Sequence, residues 1–166
     1  MKRLTTSLVV LGATVGLAAF APMAAADQPE VVHKTNTGTS VLTGTCSFPI
    51  TVDFTANETD RFFSDQSGML IRANAHVTEQ DTFSANGKSL NGVPYTFNLK
   101  AFFDSSGAIT EEFAEGVIER VPLPDGRVFQ SVGRVDFAAQ GFPSFTVTPD
   151  AGTARNLAGF CAALSP

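Results

Sequence analysis

Across residues 68–137, apolar and polar residues alternate in long runs separated by turn-forming residues. A chain with that period can bury only one face of an extended strand, so the segment must fold back on itself as a sheet. In residues 69–77 the odd positions Met69, Ile71, Ala73, Ala75 and Val77 are apolar. Apart from Leu70, the even positions Arg72, Asn74 and His76 are polar. Tyr95, Phe97, Leu99, Ala101 and Phe103 repeat the pattern against Thr96, Asn98 and Lys100. The intervening residues 86–92 are rich in Asn and Gly, which tolerate positive φ, and predict a connection longer than a two-residue hairpin loop. Asp104-Ser105-Ser106-Gly107 and Leu123-Pro124-Asp125-Gly126 each fit a hairpin built on a type I turn. Phe129, Val135 and Phe137 then form a returning strand.

Two places strain this pattern. Glu79 and Asp81 fall on the apolar side of the first run, so the strand is expected to leave the core there or to change face through a bulge. Their ordinary reading is an exposed strand end, and the sharper one is a carboxylate pair for acid/base work. Residues 108–121 fit either a helix, through Glu111, Glu112 and Glu115, or a strand, through Gly116, Val117, Ile118 and Val121. The hairpin that follows favours the strand.

Residues 1–26 have a basic start at Lys2 and Arg3, an apolar run over 8–20, and small residues at Ala24-Ala25-Ala26. These are the parts of a secretory signal peptide cleaved after Ala26. Removing it leaves about 140 residues, enough for one domain with its own core. No later stretch is long and apolar enough to span a membrane as a helix. The mature chain carries a net charge of about −7 and no basic cluster, which matches neither nucleic acid nor an anionic membrane. The two cysteines, Cys46 and Cys161, lie at opposite ends of the domain, and outside the cytosol they pair most simply with each other. The chain-entropy model gives such a loop about 4–5 kcal/mol.

Residues 27–44 are rich in Thr, Ser, Asn and Gly and read as a loose N-terminal arm. The domain proper spans 45–166. Its first strand carries Phe48, Ile50, Val52 and Phe54 on one face, with Pro49 at its start or on an edge. Residues 55–68 read as a polar connection interrupted by Phe62-Phe63, which either plug the core or close an opening. Asp53, Glu58, Asp60 and Asp65 read as solvated loop charges or a weak cation site; their spacing fits no EF-hand. Phe142, Phe145 and Val147 fit a short strand, and residues 153–161 a last one that carries Cys161 back to the first. The expected fold is all-β, a small antiparallel meander closing into a barrel, or alternatively a two-sheet sandwich.

Catalytic signatures are missing. There is no G-x-S-x-G, H-E-x-x-H or C-x-x-C, and Gly87-Lys88-Ser89 lacks the first glycine and the strand-to-helix context of a phosphate loop. His33 lies in the arm. His76, on the polar face of a strand, is a solvated histidine, or an acid/base or ligand-orienting group if that face turns inward. All but one of the 15 Phe lie in the mature chain and are core packing, or the lining of a cavity for an apolar ligand.

Cys46-Ser47-Phe48-Pro49-Ile50, Gly87-Lys88-Ser89, Leu123-Pro124-Asp125-Gly126, Gly133-Arg134 and Gly159-Phe160-Cys161-Ala162-Ala163-Leu164 together resemble a group of small secreted actinobacterial proteins. The resemblance covers most of the mature chain. It implies secretion and a two-cysteine framework, and no activity. The expectation is a secreted, disulfide-closed, non-catalytic binding barrel without cofactor or metal. It would take a small apolar ligand or a cell-envelope partner, with His76, Tyr95, Phe97, Phe62 and Phe63 as candidate binding residues. The alternatives are a barrel isomerase or cyclase using His76, Tyr95 or Glu79, and a structural envelope protein without a pocket.

Overall fold

The computed structural model describes residues 28–137 and 151–166. The expected leader over residues 1–26 and the strand expected around Phe142, Phe145 and Val147 lie outside them. The described elements are, in order, β1 (Glu30–Leu42), β2 (Ile50–Ser64), β3 (Leu70–Ala85), β4 (Lys88–Asn91), β5 (Tyr95–Phe103), β6 (Ile109–Pro122), β7 (Val128–Asp136), β8 (Ala151–Arg155) and a helix, α1 (Leu157–Leu164). The strands pair antiparallel in one sheet of order β1-β2-β3-β5-β6-β7-β8, with β4 also on β3. The all-β antiparallel architecture is the one the alternation predicts, and residues 109–122 are strand. Among the described residues the meander stays open instead of closing into a barrel, with β1 and β8 as its two edges.

Turn chemistry sets the register. In both predicted type I hairpins the glycine N–H donates to the carbonyl three residues back, Gly107 to Asp104 and Gly126 to Leu123, each at 3.0 Å. Asp65-Gln66-Ser67-Gly68 uses the same device, and the Asp65 carboxylate also accepts from the Ser67 and Met69 amides at 2.8 and 3.0 Å. The 86–92 connection is tighter than expected. Asn86 and Gly87 take positive φ of 52° and 75°, which makes a two-residue loop of the kind whose twist matches the flanking strands. β4 starts at once, with Lys88 opposite Ala85.

One face of the sheet, called inner here, carries the core. Ile50, Val52, Phe83, Val121 and Phe129 belong to one buried cluster although β2 and β7 are not neighbours, so the sheet curls round them. A row of glycines permits this curl. Gly116, Gly133 and Gly152 are register partners across β6, β7 and β8. A Cβ on Gly133 would lie 2.0 Å from the Ala151 carbonyl oxygen, and Gly133 and Gly152 have φ of 151° and 142°. Only glycine permits that close approach and backbone.

Helix α1 closes one end. Phe160 and Leu164, one turn apart and both 0% exposed, face the cluster. The Phe160 ring stacks on Phe129 at 4.6 Å and meets Phe83 edge-on at 5.2 Å. Burying one such side chain is worth about 1.5–3 kcal/mol. The β3–β4 hairpin holds the end of the helix, with Asn86 donating to the Leu164 carbonyl at 2.9 Å and Lys88 to that of Ser165 at 2.5 Å. A helix leaves its last carbonyls unpaired, and an ammonium there suits its dipole. The predicted Cys46–Cys161 disulfide joins the β1–β2 loop to α1, with Cα atoms 5.6 Å apart.

Three expectations change. Residues 30–42, expected as part of a loose arm, form the 13-residue strand β1. Residues 55–64, expected as a connection, continue β2. Residues 153–161 are divided between β8 and α1. Asn156 turns the chain in a left-handed conformation, φ 61°, and the Leu- and Ala-rich residues after it favour a helix.

Candidate functional site

The outer face is a lattice of hydrogen-bonding side chains. Strand pairing puts His33, Thr59, His76 and Asn98 in one row across β1, β2, β3 and β5, beside a row of Thr35, Asn57, Thr78 and Thr96. Neighbouring members bond to each other. His33 Nδ1 lies 3.0 Å from Thr59 Oγ1 and His76 Nδ1 3.1 Å from Asn98 Oδ1, while Thr35 donates to Asn57 Oδ1 at 2.8 Å. The β1, β2 and β3 members of these rows line a shallow groove of about 400 Å³ that also touches Lys34 and Glu58. Those two belong to the inner face, where they are joined at 3.1 Å, and the outer-face lining consists of hydroxyl, amide and imidazole groups. Further along this face the Arg134 guanidinium covers the Phe113 ring at 3.6 Å and Arg72 covers Phe63 at 4.0 Å, arrangements that let basic side chains shield rings from water.

The inner face holds a second polar group, and it is buried. Glu79 and Asp81 neither leave the core nor change face. β3 runs through them without a register break, and Asp81 is 2% exposed. The Tyr95 phenol oxygen lies 2.8 Å from Glu79 Oε1 and 2.7 Å from Asp81 Oδ2. A phenol has one hydrogen, so it donates to one of these oxygens, and the other contact needs a proton from the carboxyl. Glu119 joins them through a β-bulge. Val117 pairs Val132 but Glu119 pairs Ser131, so Ile118 is an extra residue, and both Ile118 and Glu119 point inward, 3% and 1% exposed. Without the bulge Glu119 would face water. Its carboxyl lies beside that of Asp81, close enough for the two to share a proton.

Burial dominates the electrostatics. It raises the Glu79 carboxyl to about 7, with repulsion from Asp81 adding to the effect. It also raises Asp81, and raises Glu119 well above the usual range with help from the Asp81 charge. Burial and the surrounding carboxyls push Tyr95 up, so it stays a neutral donor. Of the two lysines placed on this face among the described residues, Lys34 bonds Glu58 and Asp60 at 3.1 and 2.9 Å, and Lys88 is held at the helix end.

The sequence-derived candidates therefore divide. Tyr95, Phe97 and Phe62 lie on the inner face, and His76 and Phe63 on the outer one. Tyr95 and Phe97 stack at 6.0 Å. The trio suggested for an isomerase does not converge, because His76 is on the opposite side of the sheet from Glu79 and Tyr95. Nor do the carboxylates considered for a cation. Asp53 accepts from Thr39 on the outer face, Glu58 and Asp60 pair with Lys34 inside, and Asp65 caps its own turn. Among the described residues, no three Asp, Glu, His or Cys side chains are placed to hold a metal ion. Glu119 was missed. Its one signal is the adjacent apolar pair Val117-Ile118, where strict alternation fails. No protein-family model, curated protein or solved structure matches the chain.

Proposed function

We propose that this is a secreted binding protein, not an enzyme, and that it works through the outer face of its sheet, where it takes a neutral polyhydroxylated glycan of the cell envelope. The observation that carries this reading is the polar groove between His33 and His76. Hydroxyl, amide and imidazole groups repeat there at strand spacing, and most can both donate and accept. Such a surface suits hydroxyl-rich partners better than the small apolar ligand that the phenylalanine content suggests. The leader-like first 26 residues and the Cys46–Cys161 bond support an extracellular setting.

The test is retention of the mature domain on isolated cell-wall glycan. The double variant Asn57→Ala, Thr78→Val removes the centre of the lattice and is expected to weaken retention at least tenfold, with the melting temperature nearly unchanged. Equal retention of the variant, or failure of the parent domain to bind any neutral glycan, overturns the proposal.

A further inference from the structure

The inner carboxyl cluster sits on a seam. β5 pairs β6 only as far as Phe97 opposite Gly116, and beyond that point β6 is paired with β7 alone. Residues 92–94, between β4 and β5, fill the space between β3 and β6. Their backbone makes one bond to each side: Gly92 N–H to the Asp81 carbonyl at 2.8 Å and Val93 N–H to the Arg120 carbonyl at 3.0 Å. The fit is close, since a Cβ on Gly92 would lie 3.0 Å from the first carbonyl oxygen and 3.3 Å from the second. The side chains that cross the seam are Glu79 and Asp81 from β3, Tyr95 from β5 and Glu119 from β6, with Ser131 of β7 in register behind Glu119.

The geometry requires protons. The phenol supplies one hydrogen for its two carboxyl contacts, and the contact between Asp81 and Glu119 has none unless a carboxyl carries it. Fully ionised, the cluster would leave Asp81 Oδ1 and Glu119 Oε2 as buried acceptors without a donor, and the Ser131 hydroxyl beside them also lacks a partner. The groups facing the cluster offer no compensation. β2 contributes Glu58, whose charge adds to the repulsion on Glu79. β1 contributes Lys34, already bonded to Glu58 and Asp60. α1 has no charged residue. Adjacent carboxylates cannot all be charged without water between them.

We propose that Glu79, Asp81, Tyr95 and Glu119 form a proton-operated latch across this seam, which holds β3 to β6 while the carboxyls share protons and releases as they lose them. The next inward residues on three strands at the seam are Phe83, Val121 and Phe129, each 0% exposed, so release uncovers the apolar cluster under α1. The sign follows from Glu79, whose ordinary value is 4.5 and whose folded value is about 7. Below the first, both folded and unfolded chains hold the proton and the latch is at full strength. Between the two, only the folded chain holds it, so stability falls as pH rises, and the loss is complete above the second.

The experiment is urea unfolding of the mature, disulfide-bonded protein from about pH 5 to 8, followed by fluorescence of Tyr95, the chain's single tyrosine. Each proton the folded state holds in excess lowers the folding constant by up to about tenfold per pH unit. Wild type is expected to lose at least tenfold overall, with a concurrent change in the native Tyr95 signal. Glu119→Gln, neutral at every pH, is expected to flatten the slope. A flat wild-type profile, or an unaltered slope in Glu119→Gln, overturns the latch. Should that variant fail to fold, amide exchange of wild type decides. Corrected for intrinsic rates, Gly92 and Val93 are expected to lose protection between pH 5.5 and 8 while the β1–β2 pairs keep theirs. Equal behaviour of the two regions overturns the proposal.

Discussion

The two faces of the sheet sort charge in the opposite sense to the one hydrophobic patterning suggests. The inner, apolar face carries Glu30, Glu58, Asp60, Glu79, Asp81, Glu112 and Glu119 against Lys34 and Lys88, and the outer, water-facing one carries Arg61, Arg72, Lys100, Arg120, Arg134 and Arg155 against Asp53, Glu111, Glu115 and Asp136. On β2 and β6 the two sets meet one residue apart, at Asp60-Arg61 and Glu119-Arg120. The acidic net charge of the chain is therefore concentrated on the inner face. The difference teaches that polarity is spent differently on each side. Outside, hydroxyls and amides bond to one another within reach of water, and losing one costs little. Inside, Glu79, Asp81, Tyr95 and Glu119 depend on one another, and losing one leaves another stranded.

Substitutions can break or sharpen that contrast. The largest effect is expected from removing the staple on the inner side. The double variant Cys46→Ser, Cys161→Ser should lose about 4–5 kcal/mol on the chain-entropy model, measured by urea unfolding against the oxidised parent. Phe160→Ala, which empties the centre of the core cluster, should cost about 3–5 kcal/mol, and a loss below 1 kcal/mol in the same assay would show that α1 is not anchored there. Tyr95→Phe deletes one oxygen and strands two carboxyls. A loss of about 1–3 kcal/mol at neutral pH is expected, shrinking as acid protonates them. On the outer face, Arg134→Ala uncovers the Phe113 ring and should cost only about 0.5–1 kcal/mol in thermal unfolding. Thr78→Val should fall within about 0.5 kcal/mol of the parent. A costly Thr78→Val would erase the distinction between the faces.

What could be read from the residues follows the same division. Strands β3, β5 and β7 were legible because apolar side chains recur at even spacings along them, as at Ala73, Ala75 and Val77, at Tyr95, Phe97 and Leu99, and at Phe129 and Val135. The hairpins at Gly107 and Gly126 were legible from their Asp and Gly. β1 was not, because its inward positions hold Val32, Lys34, Asn36 and Gly38, which carry no apolar period. The second half of β2 was hidden in the same way by Ala56, Glu58 and Asp60, and buried acids made a strand look like a loop. Helix α1 is only eight residues long and has no side-chain cap, so neither length nor a start signal announced it. Of the inner cluster, Glu79 and Asp81 were visible as residues on the wrong side of the alternation, but their burial depends on Tyr95 and Glu119 arriving from other strands. Glu119 was placed by a bulge, a one-residue shift marked only by the adjacent apolar pair Val117-Ile118.

The bond between Cys46 and Cys161 has one more consequence. It makes the 115-residue span between them a covalent ring, with every strand from β2 to β8 inside it. A single backbone cut anywhere in that ring, in a hairpin tip or in the segment between β7 and β8, leaves one connected molecule whose new ends cannot drift apart. Nicking by a protease and loss of material then become separate events. The first changes the mobility of the reduced chain on a gel, and only a second cut removes material.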